Sequence, residues 1–331
     1  MTSLALPKES AKGNLHGKDD TASRSKSRRA AREARTGWIF MAPFTILFMF
    51  IFIVPILVSI YQSFFQQKVV GGGPFGGGES QNVFVGFDNF IYVLTSNGFW
   101  TGIGRVLIYT AFQVPIMIGL ALALALLVDS KILRHVSAFR LGYFLPYAVP
   151  GVVAAIMWMY IYTPTVSPLH SIFDLFGWDF PINFFGEHMI LASMANMTTW
   201  TFAGYNMLIF LAALQAVPND LYEAARLDGA TGWQIIRHIK IPMVRGAALL
   251  AILLSIVGTI QLYNEPEIMS TTNTWMGPDY VPMMMALNTA KDAMTPSGTG
   301  PASAIAIVMS LIAGVLAVGY FLAERKVNGN D

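Results

Sequence analysis

The chain has 331 residues, 54% of them hydrophobic and 12% charged, with a formal net charge of +2 and a mean hydropathy of +0.54. Soluble domains carry about 25% charged residues, so a water-soluble enzyme of this length is excluded by the surface it would have to build. The absence of cysteine excludes disulfides, thiol catalysis and cysteine-based metal sites, and the composition points to an all-α polytopic membrane protein.

Residues 1–37 are polar and rich in Lys, Arg, Ser and Ala, which predicts a disordered basic tail lying against anionic lipid headgroups. Reading Arg28, Arg29 and Arg32 as a nucleic-acid contact is the weaker alternative. A bilayer core about 30 Å thick needs about 20 apolar residues in helical form. Six uncharged stretches reach that length: 38–65, 106–128, 141–162, 189–217, 246–264 and 302–323. The first is too long for the apolar part of a signal peptide, and no small-residue cleavage site follows it. Gly71–Gly78, interrupted by Pro74 and Phe75, predicts an external turn cluster.

Lys and Arg collect in cytoplasmic loops. Of the 21 in this chain, Lys68, Arg105 and Lys291 fall on one side of the predicted spans; the other 18 lie in residues 1–37, 129–140, 218–245 and the C-terminal tail from 325. Both termini are therefore predicted to be cytoplasmic, which requires an even number of spans. The domain organisation that follows is a tail over 1–37, a transmembrane domain over 38–325 with a cytoplasmic loop at 218–245, and a short tail over 326–331.

No P-loop occurs, so the chain holds no nucleotide by that device. The five histidines lie in the tail or in loops and show no metal-ligand spacing. Nothing marks a catalytic centre or a cofactor or metal site. The six stretches contain no Asp, Glu, Lys, Arg or His. Proton-driven carriers place ionisable groups at membrane depth, and their absence argues against that class. The spans instead carry neutral polar and aromatic groups, among them Tyr147, Trp158, Asn196, Thr198, Trp200, Tyr205, Ser255, Thr259 and Gln261. Such groups suit an uncharged polyhydroxylated ligand. The plainer reading is that they bond neighbouring helices.

The loop reads NDLYEAARLDGATGWQIIRHIKIP from Asn219 to Pro242. Asn219 or Asp220 is expected to cap a short helix with Glu223 in its first turn, and Asp228-Gly229 to end it. Trp233, Ile235, Ile236 and Ile239 predict a second amphipathic helix before Pro242. Two short helices at a turn form a knob suited to a protein groove.

The spacing Glu223-Ala224-Ala225, three residues, Gly229, nine residues, Ile239, one residue, Ile241-Pro242 resembles the EAA loop of binding-protein-dependent ABC importer permeases. Ile241 replaces the usual Leu. FVGFDNF at 84–90, FLPYAVP at 144–150, LIFLAALQAVP at 208–218 and TIQLYNEPEIM at 259–269 are similar to segments of the carbohydrate branch, and the resemblance covers roughly 38–325. It implies a bacterial or archaeal cytoplasmic-membrane protein that pairs with a second homologous permease. Two copies of an ABC ATPase would bind ATP and Mg, leaving this chain without a cofactor or catalysis of its own, and an extracytoplasmic sugar-binding lipoprotein would deliver substrate. Glu223 would pair with a basic residue of the ATPase, and Gly229 would shape the turn. Ala224, Ala225, Asp228, Ile239 and Pro242 complete the coupling set. By the same resemblance Trp200, Tyr205 and Ser255 keep the maltose-type residue at the sugar site and Tyr147 keeps it within LPYAVP. Thr198 and Thr259 stand where Asn is usual, and Gln261 follows in the same segment. The alternatives are an ABC permease for a non-sugar solute such as a glycerol-phosphate ester or an amino acid, for which Arg105 is the nearest cation should the solute be charged, and a secondary carrier or channel working alone.

Overall fold

The computed structural model describes residues 35–70, 79–130, 133–178 and 182–328. The basic segment up to residue 34, the 71–78 glycine cluster and the last three residues lie outside them. The chain divides into two units between Ser59 and Ile60.

Helix α1 (Arg35–Gln62) is long and apolar enough to cross a membrane. Trp38, Phe40, Phe44 and Phe50 stand exposed along it, which an aqueous protein would not tolerate and a lipid-facing helix requires. A π-helical turn at Met49–Ile53 sits just before Pro55. The proline lacks the N–H that would bond the carbonyl four residues back and its ring crowds that carbonyl, so the helix widens by one residue there.

The second unit opens with an antiparallel hairpin, β1 (Phe65–Val70) against β2 (Glu79–Phe84), in register from Phe65 opposite Phe84 to Val70 opposite Glu79. The sequence predicts no strand here, because neither segment alternates apolar and polar residues. Helices α2 (Asp88–Thr95) and α3 (Asn97–Asp129) follow. The span expected at 106–128 thus begins nine residues earlier, capped by the Ser96 side chain, which accepts from the Phe99 N–H.

The third expected span, 141–162, is not one rod. Helix α4 (Val136–Phe144) runs through a 3-10 turn at Leu145–Ala148 and then meets α5 (Gly151–Tyr162) at a bend of 98°. Pro146 and Pro150 explain the break. Val149, the residue before Pro150, is held extended (φ −79, ψ 126), as the proline ring demands. Among the described residues five helical stretches are long and apolar enough to span, up to six if the bent pair is counted as one span.

Helix α6 (Pro168–Leu175) precedes α7 (Ile190–Gln215), which lies along α3. Met207, Phe210, Leu211 and Leu214 of α7 pack with Val114, Met117, Ala121 and Ala125 of α3 in one buried cluster. Gly204 permits a further close approach: a Cβ there would overlap the backbone carbonyl of Tyr143 in α4. Within the loop at 218–245 lie α8 (Asn219–Leu227) and α9 (Gly232–Ile235), whose path continues through a π turn at Ile236–Lys240 to Met243. Pro242 follows that turn as Pro55 follows the first. Helices α10 (Arg245–Ile260) and α11 (Asn264–Ser270) form one apolar span interrupted at 261–263, and α12 (Pro282–Ala290) and α13 (Thr299–Asn328) complete the chain. Residues 326–328, expected to begin the tail, are helical.

Candidate functional site

A cavity of about 270 Å³ opens among α3, α7 and the interrupted α10–α11 span. The interruption is what makes it. Gln261 and Leu262 turn back through their N–H groups onto the carbonyls of Gly258 and Thr259 (both 3.1 Å), and Tyr263 leaves helical geometry at φ −141. Irregular backbone at membrane depth is tolerated where it lines a cavity rather than lipid. Gln261, Leu262, Tyr263, Asn264 and Glu265 all line this one.

Thr198, Tyr205, Ser255, Thr259 and Gln261, five of the seven residues expected at the substrate site, line the cavity. Tyr147 does not line it but stacks on Tyr205, ring centroids 4.7 Å apart at 17°. Trp200 lies elsewhere: it is not a lining residue and meets Trp158 edge-on at 5.9 Å. Asn196 is likewise engaged, donating to the Tyr162 hydroxyl at 2.9 Å.

The lining hydroxyls differ in what they have to offer. Thr259 accepts from Thr110 (2.8 Å) and donates to the Ile256 carbonyl (2.9 Å), so its proton is used within the protein and ties α3 to α10. Ser255 makes no hydrogen bond among the described residues and keeps its donor. Tyr109 donates to Thr198 (2.7 Å), which in turn donates to Oε1 of Glu265 (2.9 Å). Gln113 spends its amide nitrogen on Met117 Sδ (3.3 Å) while its Oε1 is buried without a partner among the described residues.

Glu265 and Gln113 were not among the expected site residues. The predicted fifth span stopped at Asn264, one residue short, and on that boundary the spans held no acid. The observed span runs to Ser270, which places Glu265 and Glu267 inside it, and Glu265 is the one that lines the cavity. A lone Gln in an otherwise apolar stretch was the available signal for Gln113. Arg105, the expected nearest cation, is engaged away from the cavity. Its guanidinium donates to the Tyr280 carbonyl (2.9 Å) and lies over the Tyr280 ring at 4.2 Å.

The loop at 218–245 forms two short helices at a turn. Neither Asn219 nor Asp220 caps α8; Pro218 occupies the cap position without a side-chain hydrogen bond, Asp220 is the acid of the first turn, and Glu223 lies a turn further on. Proline supplies φ −59 there, which leaves the acids free for the surface. Gly229 has φ +82. Its N–H bonds the Arg226 carbonyl (3.1 Å) and the Ala230 N–H bonds the Ala225 carbonyl (2.9 Å), the paired closure of a left-handed helix end. Thr231 then starts α9 with a reciprocal cap: its hydroxyl accepts from the Gln234 N–H (3.4 Å) and its own N–H donates to Gln234 Oε1 (2.7 Å). An open groove of about 370 Å³ separates the two helices, lined by Ala225, Asp228, Gly229, Ile235 and Ile239. Glu223 and Ala224 are exposed, as is Pro242, and Leu227 (89%) and Trp233 (66%) present bare apolar surface.

Five apolar helices long enough to cross a membrane, up to six with the bent pair, a cavity with polar groups and a two-helix loop at 218–245 outside the apolar stretches are the features of a multi-pass membrane protein. Residues 93–329 match the binding-protein-dependent transport system inner membrane component family, and the chain belongs to it. Similar proteins include the probable starch degradation products permease AmyD of Thermoanaerobacterium thermosulfurigenes, 27% identical over 88% of this chain and 94% of its own length. The lactose permease LacF of Rhizobium radiobacter is 30% identical over 69% and 74%. The sn-glycerol-3-phosphate permease UgpA of Rhizobium meliloti is 28% identical over 88% and 95%. The fold is similar to a chain of a bacterial alginate ABC transporter solved with its pentasaccharide-bound periplasmic protein, with a TM-score of 0.70 and 18% identity over 89% of this chain and 97% of that one.

Proposed function

We propose that the chain is a permease subunit of an ATP-driven ABC importer that passes a sugar or oligosaccharide, delivered by an extracytoplasmic binding protein, through the cavity between α3, α7 and α10. The observation that carries this is the cavity wall. It combines an aromatic face, Tyr205 backed by Tyr147, with neutral hydrogen-bonding groups at Ser255, Gln261 and Gln113, and no Lys, Arg or His lines it among the described residues. Apolar walls with a few placed polar groups are the usual form of a small-molecule site, and this one, at about 270 Å³, is slightly smaller than the ~300–1,000 Å³ typical of such sites. Sugars offer exactly what such a wall can use: C–H faces for rings and hydroxyls for amides. The starch-product and lactose systems among the relatives support the same reading.

The remaining parts of the machine are part of the proposal. A second permease pairs with this one, and two ATPase subunits bind ATP and Mg. The two-helix loop seats on one of them through Glu223, Leu227 and Trp233. Both termini and the loop face the cytoplasm of a bacterial or archaeal cell, and the chain itself performs no chemistry. The test is reconstitution of the purified assembly in liposomes with a panel of neutral oligosaccharides. Uptake that requires ATP, the binding protein and an ATPase copurifying with this chain supports the reading. ATP-independent uptake by this chain alone would make it a secondary carrier.

A further inference from the structure

Beside the donors of Ser255, Gln261 and Tyr205, the cavity offers a ligand two acceptors, Gln113 and Glu265. Gln113, 1% exposed, aims a partnerless Oε1 from the middle of α3. Glu265 presents its carboxylate from the first turn of α11. The relay Tyr109 to Thr198 to Glu265 runs donor to acceptor and ends on the carboxylate oxygen, so Thr198 has no proton left for a ligand. No cation lines the cavity among the described residues, and Arg105 is committed to Tyr280. A charge at membrane depth without a counter-ion is costly and is held there for use.

We infer that Glu265 makes this cavity charge-selective: it takes neutral sugars and amino sugars, whose hydroxyl or ammonium protons it and Gln113 accept, and refuses uronates and sugar phosphates. An anionic solute would bring a second negative charge within a few ångströms of the carboxylate in a low-dielectric site, where like charges repel by several-fold more than in water. A relative that carries sn-glycerol-3-phosphate shows that charge is a property on which members of the family differ. This inference rests on the cavity being the solute passage.

The chain has no cysteine, so Ser255→Cys places the only thiol of this subunit on the cavity wall. The assembled transporter is treated with a cationic (trimethylammonium-ethyl) and an anionic (sulfonato-ethyl) methanethiosulfonate, and modification of this chain is followed by intact mass. The ratio of the two rates reports the local potential, and its change on Glu265→Gln cancels the reagents' intrinsic reactivities. Gln keeps a carbonyl oxygen for Thr198. The ratio is expected to fall by about tenfold or more on that substitution. A second comparison needs no change at 265: the ratio at Ser255→Cys should exceed that at the exposed Asp174→Cys by a similar factor. Equal ratios in both comparisons overturn the inference. In a parallel arm, methyl glucoside and glucosamine are expected to slow modification of Ser255→Cys and glucuronate is not, whereas glucuronate should protect in the Glu265→Gln background. Glucuronate protecting as well as methyl glucoside in the parent also overturns it. If no sugar protects in either background while the rate ratio still responds to Glu265, the charge assignment stands and the sugar reading is the one that falls.

Discussion

Lys240 in the loop places its ammonium 2.5 Å from the Asp129 carboxylate at the last residue of α3. The two side chains are only 15% and 19% exposed, and the ammonium also lies 5.5 Å from the ring of Tyr222. Burial, with the Asp129 charge adding to it, pushes the Tyr222 phenol above its ordinary range, so the ring stays neutral beside the pair. One ion pair thereby joins the 218–245 loop to a helix that lines the cavity. Exposed pairs contribute at most about 1 kcal/mol, while stranding one partner of a buried pair costs about 3–5 kcal/mol; this half-sheltered pair falls between, at about 2 kcal/mol. Asp129→Asn is expected to lower the solute moved per ATP without preventing assembly, and the exchange Asp129→Lys with Lys240→Asp to recover part of it. Unchanged stoichiometry in Asp129→Asn would show that the pair transmits nothing.

Tyr205 and Trp200 sit five residues apart on α7 and point to different tasks. Tyr205 lines the cavity and Trp200 packs on Trp158. Tyr205→Ala is expected to raise the solute concentration for half-maximal uptake at least about tenfold, since an aromatic contact and its buried area exceed the ~1.4 kcal/mol that a tenfold change requires. Trp200→Ala should act mainly on thermal stability. Uptake kinetics of the two variants separate these roles, and the same shift in both would place Trp200 back in the passage.

Two glycines make opposite demands. At Gly204 the space for a Cβ is occupied by the Tyr143 carbonyl, a backbone atom that cannot step aside. Gly204→Ala is expected to destabilise the α4–α7 contact by about 1–3 kcal/mol, read as a lower unfolding temperature in detergent. At Gly229 the surroundings are open and only the φ of +82 resists a side chain. Gly229→Ala should cost about 1 kcal/mol in the loop, leave the unfolding temperature of the body in place and weaken the ATPase contact.

The spans were legible because about 20 apolar residues in a row have few other destinations. Their ends were not, since helices run past the apolar window wherever capping allows, as α3 does back to Ser96 and α11 on to Ser270. The 98° break in the third span was written in Pro146 and Pro150, yet a hydropathy window does not register the conformation a proline imposes on its neighbour. Gly229 was readable from Asp228-Gly229, whereas the Pro218 cap and the drift of Glu223 out of the first turn depend on where the helix starts, the least determined feature of a short helix. For the cavity, the expected residues that line it are Thr198, Tyr205, Ser255, Thr259 and Gln261. Glu265 was hidden because the expected span stopped one residue before it, while Trp200, expected at the site, packs on Trp158 and does not line the cavity.

The orientation proposed here is open to direct labelling in a chain with no native thiol. Asp174 on α6 and Trp233 on α9 are both exposed, so a cysteine at either is reachable from its own side. In intact cells a membrane-impermeant maleimide is expected to label Asp174→Cys and to leave Trp233→Cys unmodified until the membrane is opened. Labelling of Trp233→Cys in sealed cells would invert the topology and remove the loop from any cytoplasmic partner.

Glu223 is exposed on α8 and takes part in no hydrogen bond or ion pair among the described residues. Its own fold therefore has little use for it, and surface substitutions of this kind usually change stability by no more than about 0.5 kcal/mol. Around it the bare apolar surface of Leu227 and Trp233 and the open groove beside Gly229 give the carboxylate a setting that a docked protein would desolvate. Truncating one member of a charge pair in such an interface costs about 2–5 kcal/mol, and at tenfold per 1.4 kcal/mol even the lower figure weakens docking more than tenfold. Glu223→Ala is thus expected to keep the parent's unfolding temperature and membrane insertion while losing the copurifying ATPase and the ATP hydrolysis that the loaded binding protein stimulates. Glu223→Gln, which retains an acceptor but not the charge, should fall between the two. Parent-level copurification and stimulation in Glu223→Ala would mean that the loop docks through its apolar residues alone, and a lowered unfolding temperature would mean that Glu223 serves the fold rather than a partner.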